Sequence, residues 1–307
     1  MALSPFPQAS HRRARWAGVA MALRRARPAR LRERRPMRGV ARARCGALAP
    51  WLLTLWWVGV LASGCPRQTP DGSAAPVRVA AASDLMLAFE ELGSVFHATT
   101  GQAVVFTFGS SGRLSQQVRQ GAPFDVFASA NLPFAEQAVA SGACLADSQA
   151  IYARGRIVVW TRRGVEPPQV LGDLSARRFQ RVGIANPEHA PYGVAAQEAL
   201  QHVGIWEELR PRLVLGDNVR QALQFGETGN AEAVVAALPL VVLDTENPWF
   251  LIDEALHTPL DQALVVCTRG HNPSGGRAFA AFVMSAEGQS VMRRYGFVLP
   301  ESPGATP

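Results

Sequence analysis

The run Val77-Arg-Val-Ala-Ala-Ala reads as a short buried strand, stops at Ser83-Asp84, and passes straight into a segment whose Leu85, Phe89, Leu92 and Phe96 share one helical face. A strand that hands over to a helix in this way aims a hydroxyl and several unpaired helix N–H groups at one point, an arrangement suited to holding an oxyanion. The pattern recurs 28 residues later, from Ser83 to Ser111. A second strand over residues 103–108 ends in Gly109-Ser110-Ser111-Gly112, after which Leu114 and Val118 return at helical spacing. Two such helix starts, one soon after the other, predict a convergent clamp.

The charge of the chain is divided between an address label and a protein. Residues 1–64 hold 13 Arg and one Glu, about +12, and the rest holds 18 Arg against 23 acidic residues, about −5. The basic balance therefore belongs to the leader and not to a domain face, which excludes a nucleic-acid partner. The apolar run from Trp51 to Leu61 is 11 residues long, too short for a membrane-spanning helix, and follows Arg38, Arg42 and Arg44 as in a secretory signal. Leu61-Ala-Ser-Gly-Cys65 resembles a lipoprotein processing box, with Ala62 where Leu is usual. The expectation is a leader over 1–64, lipidation of Cys65, a flexible tether over 65–76 and a disordered tail over 301–307. Ordinary secretion is the alternative, and Met37 is an alternative start to Met1.

From Val77 to about Pro300 strand-like and helix-like segments alternate. Strands are expected over 125–128, 157–160, 182–185, 213–215 and 264–268, and helices over 131–141, 191–203, after the cap Asn218, over 277–286 and up to Tyr295-Gly296. Gly142, Gly204 and Gly229 stand where helices end. The class is α/β, with mixed but mostly parallel sheets flanked by helices.

Several motifs in order carry a family likeness. Ala81-Ala-Ser-Asp84, Thr107-Phe-Gly-Ser-Ser-Gly-Arg-Leu114, Gly121-Ala-Pro-Phe-Asp-Val-Phe-Ala-Ser-Ala130, Ala185-Asn-Pro-Glu-His-Ala-Pro-Tyr-Gly193, Asp217-Asn-Val-Arg220, Glu227-Thr-Gly-Asn-Ala231 and Arg294-Tyr-Gly-Phe297 together resemble the molybdate-binding proteins of ABC-type importers, from about Val77 to Leu299. The resemblance implies a two-lobed periplasmic binding protein: lobe one from residues 77–159 and 262–300, lobe two from 160–261, with the crossings near Trp160 and Leu260. It implies molybdate or tungstate as ligand, no cofactor and no metal cation, a membrane permease as partner and a periplasmic address, to which the processing box adds a lipid anchor at Cys65; a monomer is expected. By motif position the hydroxyl donors fall on Ser83 and Ser111 and the backbone donors on Tyr192 and Val219. Asp84 adds its N–H while its carboxylate turns away to cap the first helix. Some relatives place a tyrosine near the end of the segment that here reads Ala233-Val-Val-Ala-Ala-Leu238. This chain has Ala237 there, and the phenol of Tyr192 is the expected substitute.

Neutral donors and helix N-termini are enough to hold a dianion on a net negative protein, with selectivity set by cavity size. Each residue also has a plainer reading. Ser83 and Ser111 taken singly are helix caps, Tyr192 is a loop aromatic, and Arg113 and Arg220 are solvated or paired rather than anion clamps. Cys144 and Cys267 are taken as two separate thiols. His97, His189, His202 and His257 lack metal-ligand spacing. A hydrolase using Ser111 would need a base that no motif supplies, so no enzyme activity is expected. Sulfate, thiosulfate, phosphonate or a small organic acid remain alternative ligands, and an anchored anion sensor an alternative role.

Overall fold

The computed structural model describes residues 75–300. The leader, Cys65, most of the tether and the tail lie outside the described residues. In chain order the elements are β1 (Val77–Ala82), a 3₁₀ turn (Ser83–Leu85), α1 (Met86–Thr100), β2 (Val104–Gly109), α2 (Ser111–Arg119), β3 (Val126–Ser129), α3 (Leu132–Ala140), β4 (Ala150–Gly155) and β5 (Ile157–Thr161). Then come β6 (Val182–Ala185), α4 (Pro191–His202), α5 (Trp206–Leu209), β7 (Leu213–Gly216), α6 (Val219–Glu227), β8 (Ala233–Ala237), β9 (Trp249–Leu251), β10 (Leu260–Val266), α7 (Pro273–Met284) and α8 (Ala286–Arg294). No helix among the described residues is long and apolar enough to cross a membrane.

The strands form two five-stranded sheets, ordered β2-β1-β3-β10-β4 and β7-β6-β8-β5-β9. In the first, β1 pairs parallel with β2 and β3, while β10 runs antiparallel to β3 and β4. In the second, β6 pairs parallel with β7 and β8, while β5 runs antiparallel to β8 and β9. The antiparallel share exceeds what simple alternation predicts, because β5 and β10 are the strands that enter and leave the second sheet and so run against the βα units. Alternation also leaves β4, β8 and β9 unassigned and starts β10 late.

Where the chain crosses also differs from the expected boundaries. Only Arg156 separates β4 of the first sheet from β5 of the second, and Ile157 already pairs with Ala237. Residues 157–159 therefore belong to the second sheet, and β10, from Leu260 onward, belongs to the first. A fully buried apolar strand carries no mark of which sheet will take it, so the pattern alone misplaces the crossing.

The first sheet is anchored on one face by aromatic packing. Phe89 and Phe96 of α1 meet Phe279 of α7 edge-on, with ring centroids 6.0 and 5.4 Å apart. At the start of β3, buried Asp125 accepts hydrogen bonds from the backbone N–H groups of Arg78 and Asn272 at 2.7 and 2.6 Å, tying β1 and the approach to α7 to one carboxylate. Cys144 and Cys267 are joined as a disulfide, against the expectation of two thiols. The backbone brings them together: Leu145 donates to Val266 at 2.8 Å and Thr268 to Ala143 at 2.9 Å, so the two cysteines face one another in an antiparallel bridge.

The disulfide spans 123 residues, a stretch that contains the whole second sheet. In the chain-entropy account a loop of that size stabilises the fold by about 4 to 5 kcal/mol. The Cys144→Ser/Cys267→Ser protein is expected to melt roughly 10 °C lower than the oxidised parent. Thermal unfolding followed by circular dichroism checks this, and reductant should lower the parent's midpoint but leave the double variant unchanged.

Candidate anion-binding site

The ends of β1 and β2 and the segments that follow β3, β6 and β7 meet at a cleft between the two sheets, the usual place for a ligand in an open α/β fold. Ser83, Asp84, Ser111, Tyr192 and Val219 all line one small cavity there, together with Ala130, Asn218 and others. The five residues singled out in the sequence are thus brought together, and no arginine is among the lining residues. The remaining expected position, Ala237, is not in the wall. It ends β8 opposite Ile157.

Each donor is left free by its local structure. Ser83 opens the 3₁₀ turn that leads into α1, and its hydroxyl has no hydrogen-bond partner among the described residues. Ser111 is the first residue of α2, with Ser110 as its cap, and its Oγ accepts from the Ala130 N–H at 2.9 Å. That contact fixes the oxygen and leaves the hydroxyl proton to be donated. Neither serine stands at a cap position, which Ala82, Leu85 and Ser110 occupy, so the plainer reading of both as helix caps does not describe them. Tyr192 and Val219 stand in the first turns of α4 and α6, where backbone N–H groups have no intrahelical acceptor. Pro191 begins α4, which fixes the turn without a donor of its own, and the Asn218 side chain caps α6 by accepting from Gln221 N–H at 3.0 Å.

Two side chains behave differently from expectation. The Asp84 carboxylate does not cap α1. Its Oδ2 accepts from the Tyr192 hydroxyl at 3.0 Å and from Gln262 Nε2 at 2.6 Å, while Oδ1 is buried without a partner among the described residues. The Tyr192 phenol therefore spends its one proton on Asp84 and has none to offer a ligand, so it does not replace the tyrosine absent at Ala237. The network continues into the crossing strands, where Tyr152 of β4 donates to Gln262 Oε1 at 3.0 Å. Gly155 makes room for it, since a Cβ there would lie 2.2 Å from the Tyr192 hydroxyl. Sequence reasoning missed Gln262 and Tyr152. A lone glutamine inside the apolar run of β10 was the available signal, because a buried amide requires partners.

The electrostatics follow from burial. Asp84 is 1% exposed, and loss of hydration pushes its carboxyl up to about 6, with the bonds from Gln262 and Tyr192 acting in the opposite direction. Burial, and after it the field of Asp84, holds the phenols of Tyr192 and Tyr152 well above their ordinary range.

The rim of the cleft is bridged by polar contacts. His189 accepts from Gly112 N–H through its backbone oxygen at 3.0 Å, and its Nδ1 lies 3.0 Å from Ser110 Oγ. Arg113 makes a two-pronged ion pair with Asp217 at 2.8 and 3.2 Å, while Arg220 pairs with Glu227 at 2.9 Å. Burial, then Arg113, lowers the pKa of His189. Its Nε2 has no partner among the described residues, so no carboxylate orients the ring as a serine–histidine nucleophile pair requires. The described residues contain no group of three or more His, Cys, Asp or Glu placed to hold a metal.

The sequence profile of the bacterial extracellular solute-binding proteins matches residues 77–298. The chain belongs to that family. Among its relatives, the molybdate-binding protein ModA of Rhodobacter capsulatus is 33% identical over 228 residues, 74% of this chain and 89% of its own. ModA of Azotobacter vinelandii is 32% identical over 243 residues, 78% of this chain and 96% of its own. The solved periplasmic molybdate-binding protein of Azotobacter vinelandii superposes with a TM-score of 0.70 at 27% identity, covering 73% of this chain and all of that one. The sulfate-binding protein SubI of Mycobacterium tuberculosis H37Rv shares the fold, with a TM-score of 0.62 at 14% identity over 74% of this chain and 88% of its own. Members of this family bind solutes outside the cytoplasm, and the two-sheet architecture with its intervening cleft is the form in which this solute-binding protein does so.

Burial of Asp84 makes a prediction about stability. Its folded pKa of about 6 lies above the 3.8 of an unperturbed Asp, so the native state holds an extra proton between those values. Stability from this group is therefore greatest in acid and declines as pH rises, levelling off above about 6. Asp84→Asn removes the titration, so the stability of the variant relative to the parent is expected to grow by about 2 kcal/mol between about pH 4.5 and 7.5, measured by urea unfolding.

Proposed function

We propose that this protein captures molybdate, and tungstate with it, outside the cytoplasm and delivers the anion to the membrane permease of an ABC importer, held at the membrane through a lipid on Cys65. The observation that carries the reading is the convergence of Ser83, Asp84, Ser111, Tyr192 and Val219, each at or beside a helix start, on one small cavity with no cationic side chain among its lining residues. Neutral donors of this kind suit a fully ionised tetrahedral anion, which accepts from every donor. A protonated oxyanion would set an O–H against one of them. The relatives of 32 to 33% identity named as molybdate-binding proteins support the same ligand. In this reading closure brings the α4 and α6 starts onto the anion, the rim contacts of His189 and Arg113 hold the closed form, and the permease recognises that shape.

The direct test is calorimetric titration of the purified protein with molybdate, tungstate and sulfate. One-to-one binding of the first two with sulfate silent is the expected result, and no heat with molybdate or tungstate overturns the reading. Ser111→Ala is expected to weaken molybdate binding by about 1.5 to 3 kcal/mol, roughly tenfold to a hundredfold, through loss of a hydrogen bond to a charged ligand. Arg113→Ala removes only an exposed ion pair and should change the dissociation constant by no more than about fivefold. A larger loss would mean that the guanidinium touches the anion.

A further inference from the structure

A receptor for a dianion has no evident use for a carboxylate in the wall of its site, yet Asp84 is there. Asp84 lines the cavity beside Ser83, and its side chain stays within the same wall, bonded to Tyr192 and Gln262. The groups that face it are neutral on every side: the phenol of Tyr192 from α4, the phenol of Tyr152 from β4, and the amide of Gln262 from β10. The packed turn Leu238–Leu240 and β2 carry no charged residue. The charged residues of α6, Arg220 and Glu227, pair with one another, and on α1 Glu91 is bonded to Arg294 and Tyr295 while Glu90 is exposed. Among the described residues no cationic side chain pairs with this carboxylate, and Arg156, next in the chain to Gly155, has a buried Nε without a partner among them.

Both donors to Asp84 converge on Oδ2, and Oδ1 has none. A proton placed on Oδ1 would therefore break neither bond, and the link between α4 and the crossing strands would survive neutralisation. A doubly negative ligand beside an uncompensated, buried carboxylate favours that neutral form strongly, since like charges in a low-dielectric wall cannot both stay ionised. Resting on the oxyanion reading above, we propose that this protein takes up one proton from solvent onto Asp84 Oδ1 as the anion enters, so that capture is proton-coupled and the charge added to the cleft is reduced by one. Burial already brings the carboxyl close to neutral pH, so the further shift falls in an accessible range. Above about pH 6 the empty protein must gain a proton on binding, and affinity declines with rising pH by up to tenfold per unit until the bound form also loses it.

The experiment is calorimetry with molybdate in PIPES and in Tris, between about pH 6 and 8, on the parent, Asp84→Asn and His189→Gln. The difference in heat between the two buffers reports protons exchanged with solvent. The expected result is uptake of a large fraction of one proton by the parent at about pH 7, with binding at least about fivefold weaker at the alkaline end. Asp84→Asn should show no uptake and a flat affinity, while His189→Gln keeps the uptake and so removes the rim imidazole as its source. Equal heats and a flat affinity in the parent, with molybdate still binding, overturn the proposal and leave the oxyanion reading standing. Uptake that survives in Asp84→Asn or disappears in His189→Gln also overturns it. Absence of any molybdate binding removes both readings together, and that outcome is recognisable because no heat appears in either buffer. If Asp84→Asn does not fold, the parent and His189→Gln measurements decide the matter alone.

Discussion

A carboxylate buried at the meeting point of both sheets must be satisfied by neutral groups or not be there, and the arrangement around Asp84 follows from that constraint. Its acceptor oxygen takes the Tyr192 hydroxyl from one lobe and the Gln262 amide from a crossing strand, and Tyr152 supports Gln262 in turn. These contacts place the start of α4 against the start of the 3₁₀ turn at Ser83, which is the geometry the cavity needs. The same constraint explains why Gly155 has no side chain, since a Cβ would occupy the space of the phenol. The cost of burying the charge is what orients the backbone donors: removing a partner from such a group leaves it unsatisfied, so each partner is held firmly in place.

The cavity itself is built by a repeated local device. In each case a strand ends, a turn or short loop redirects the chain, and a helix begins with N–H groups that its own carbonyls cannot reach. Ser83, Ser111, Tyr192 and Val219 occupy those turns on both sides of the cleft. The supporting bonds have a common logic. Ala130 N–H takes the oxygen of Ser111, and Gln221 N–H takes the side chain of Asn218, so lateral needs are met within each lobe and the remaining donors face the cavity. No guanidinium has to be desolvated, and the two arginines nearest the cleft are matched by Asp217 and Glu227 at the surface.

Much of this was legible in the residues. The strand-to-helix junctions at Ser83-Asp84 and Ser110-Ser111 are visible as a change of hydrophobic period from two to 3.6 across a polar pair, and the ordered motifs locate the junctions of α4 and α6. What periodicity does not contain is partnership across the sequence. The direction of the Asp84 carboxylate depends on Tyr192 and Gln262, 108 and 178 residues away, and a helix start with Asp at its second position looks the same whether the side chain caps or turns inward. The disulfide was hidden for the same reason: Cys144 and Cys267 become neighbours only because β10 returns from the second sheet. The position of the crossing at Arg156 was equally illegible, since β5 is buried throughout and would suit either sheet.

The connection between the lobes constrains how the site can open. Only Arg156 separates β4 from β5, and the return to β10 is the other link at this level, so relative movement must be taken up near Gly155 and residues 252–259. The disulfide ties the approach to β4 to the end of β10, at the ends of those strands remote from the crossing, and so braces the first lobe. Across the rim, Ser110, Gly112, Arg113, His189 and Asp217 make contacts that are few, polar and individually weak. Gly112 belongs to this design, because a Cβ at that position would lie 2.7 Å from the His189 carbonyl and keep the rim from closing. Two short links with a weak rim form the arrangement in which a bound anion, bridging neutral donors of both lobes, can decide whether the cleft stays shut. The buried carboxylate beneath that bridge then makes the balance sensitive to charge as well as to shape.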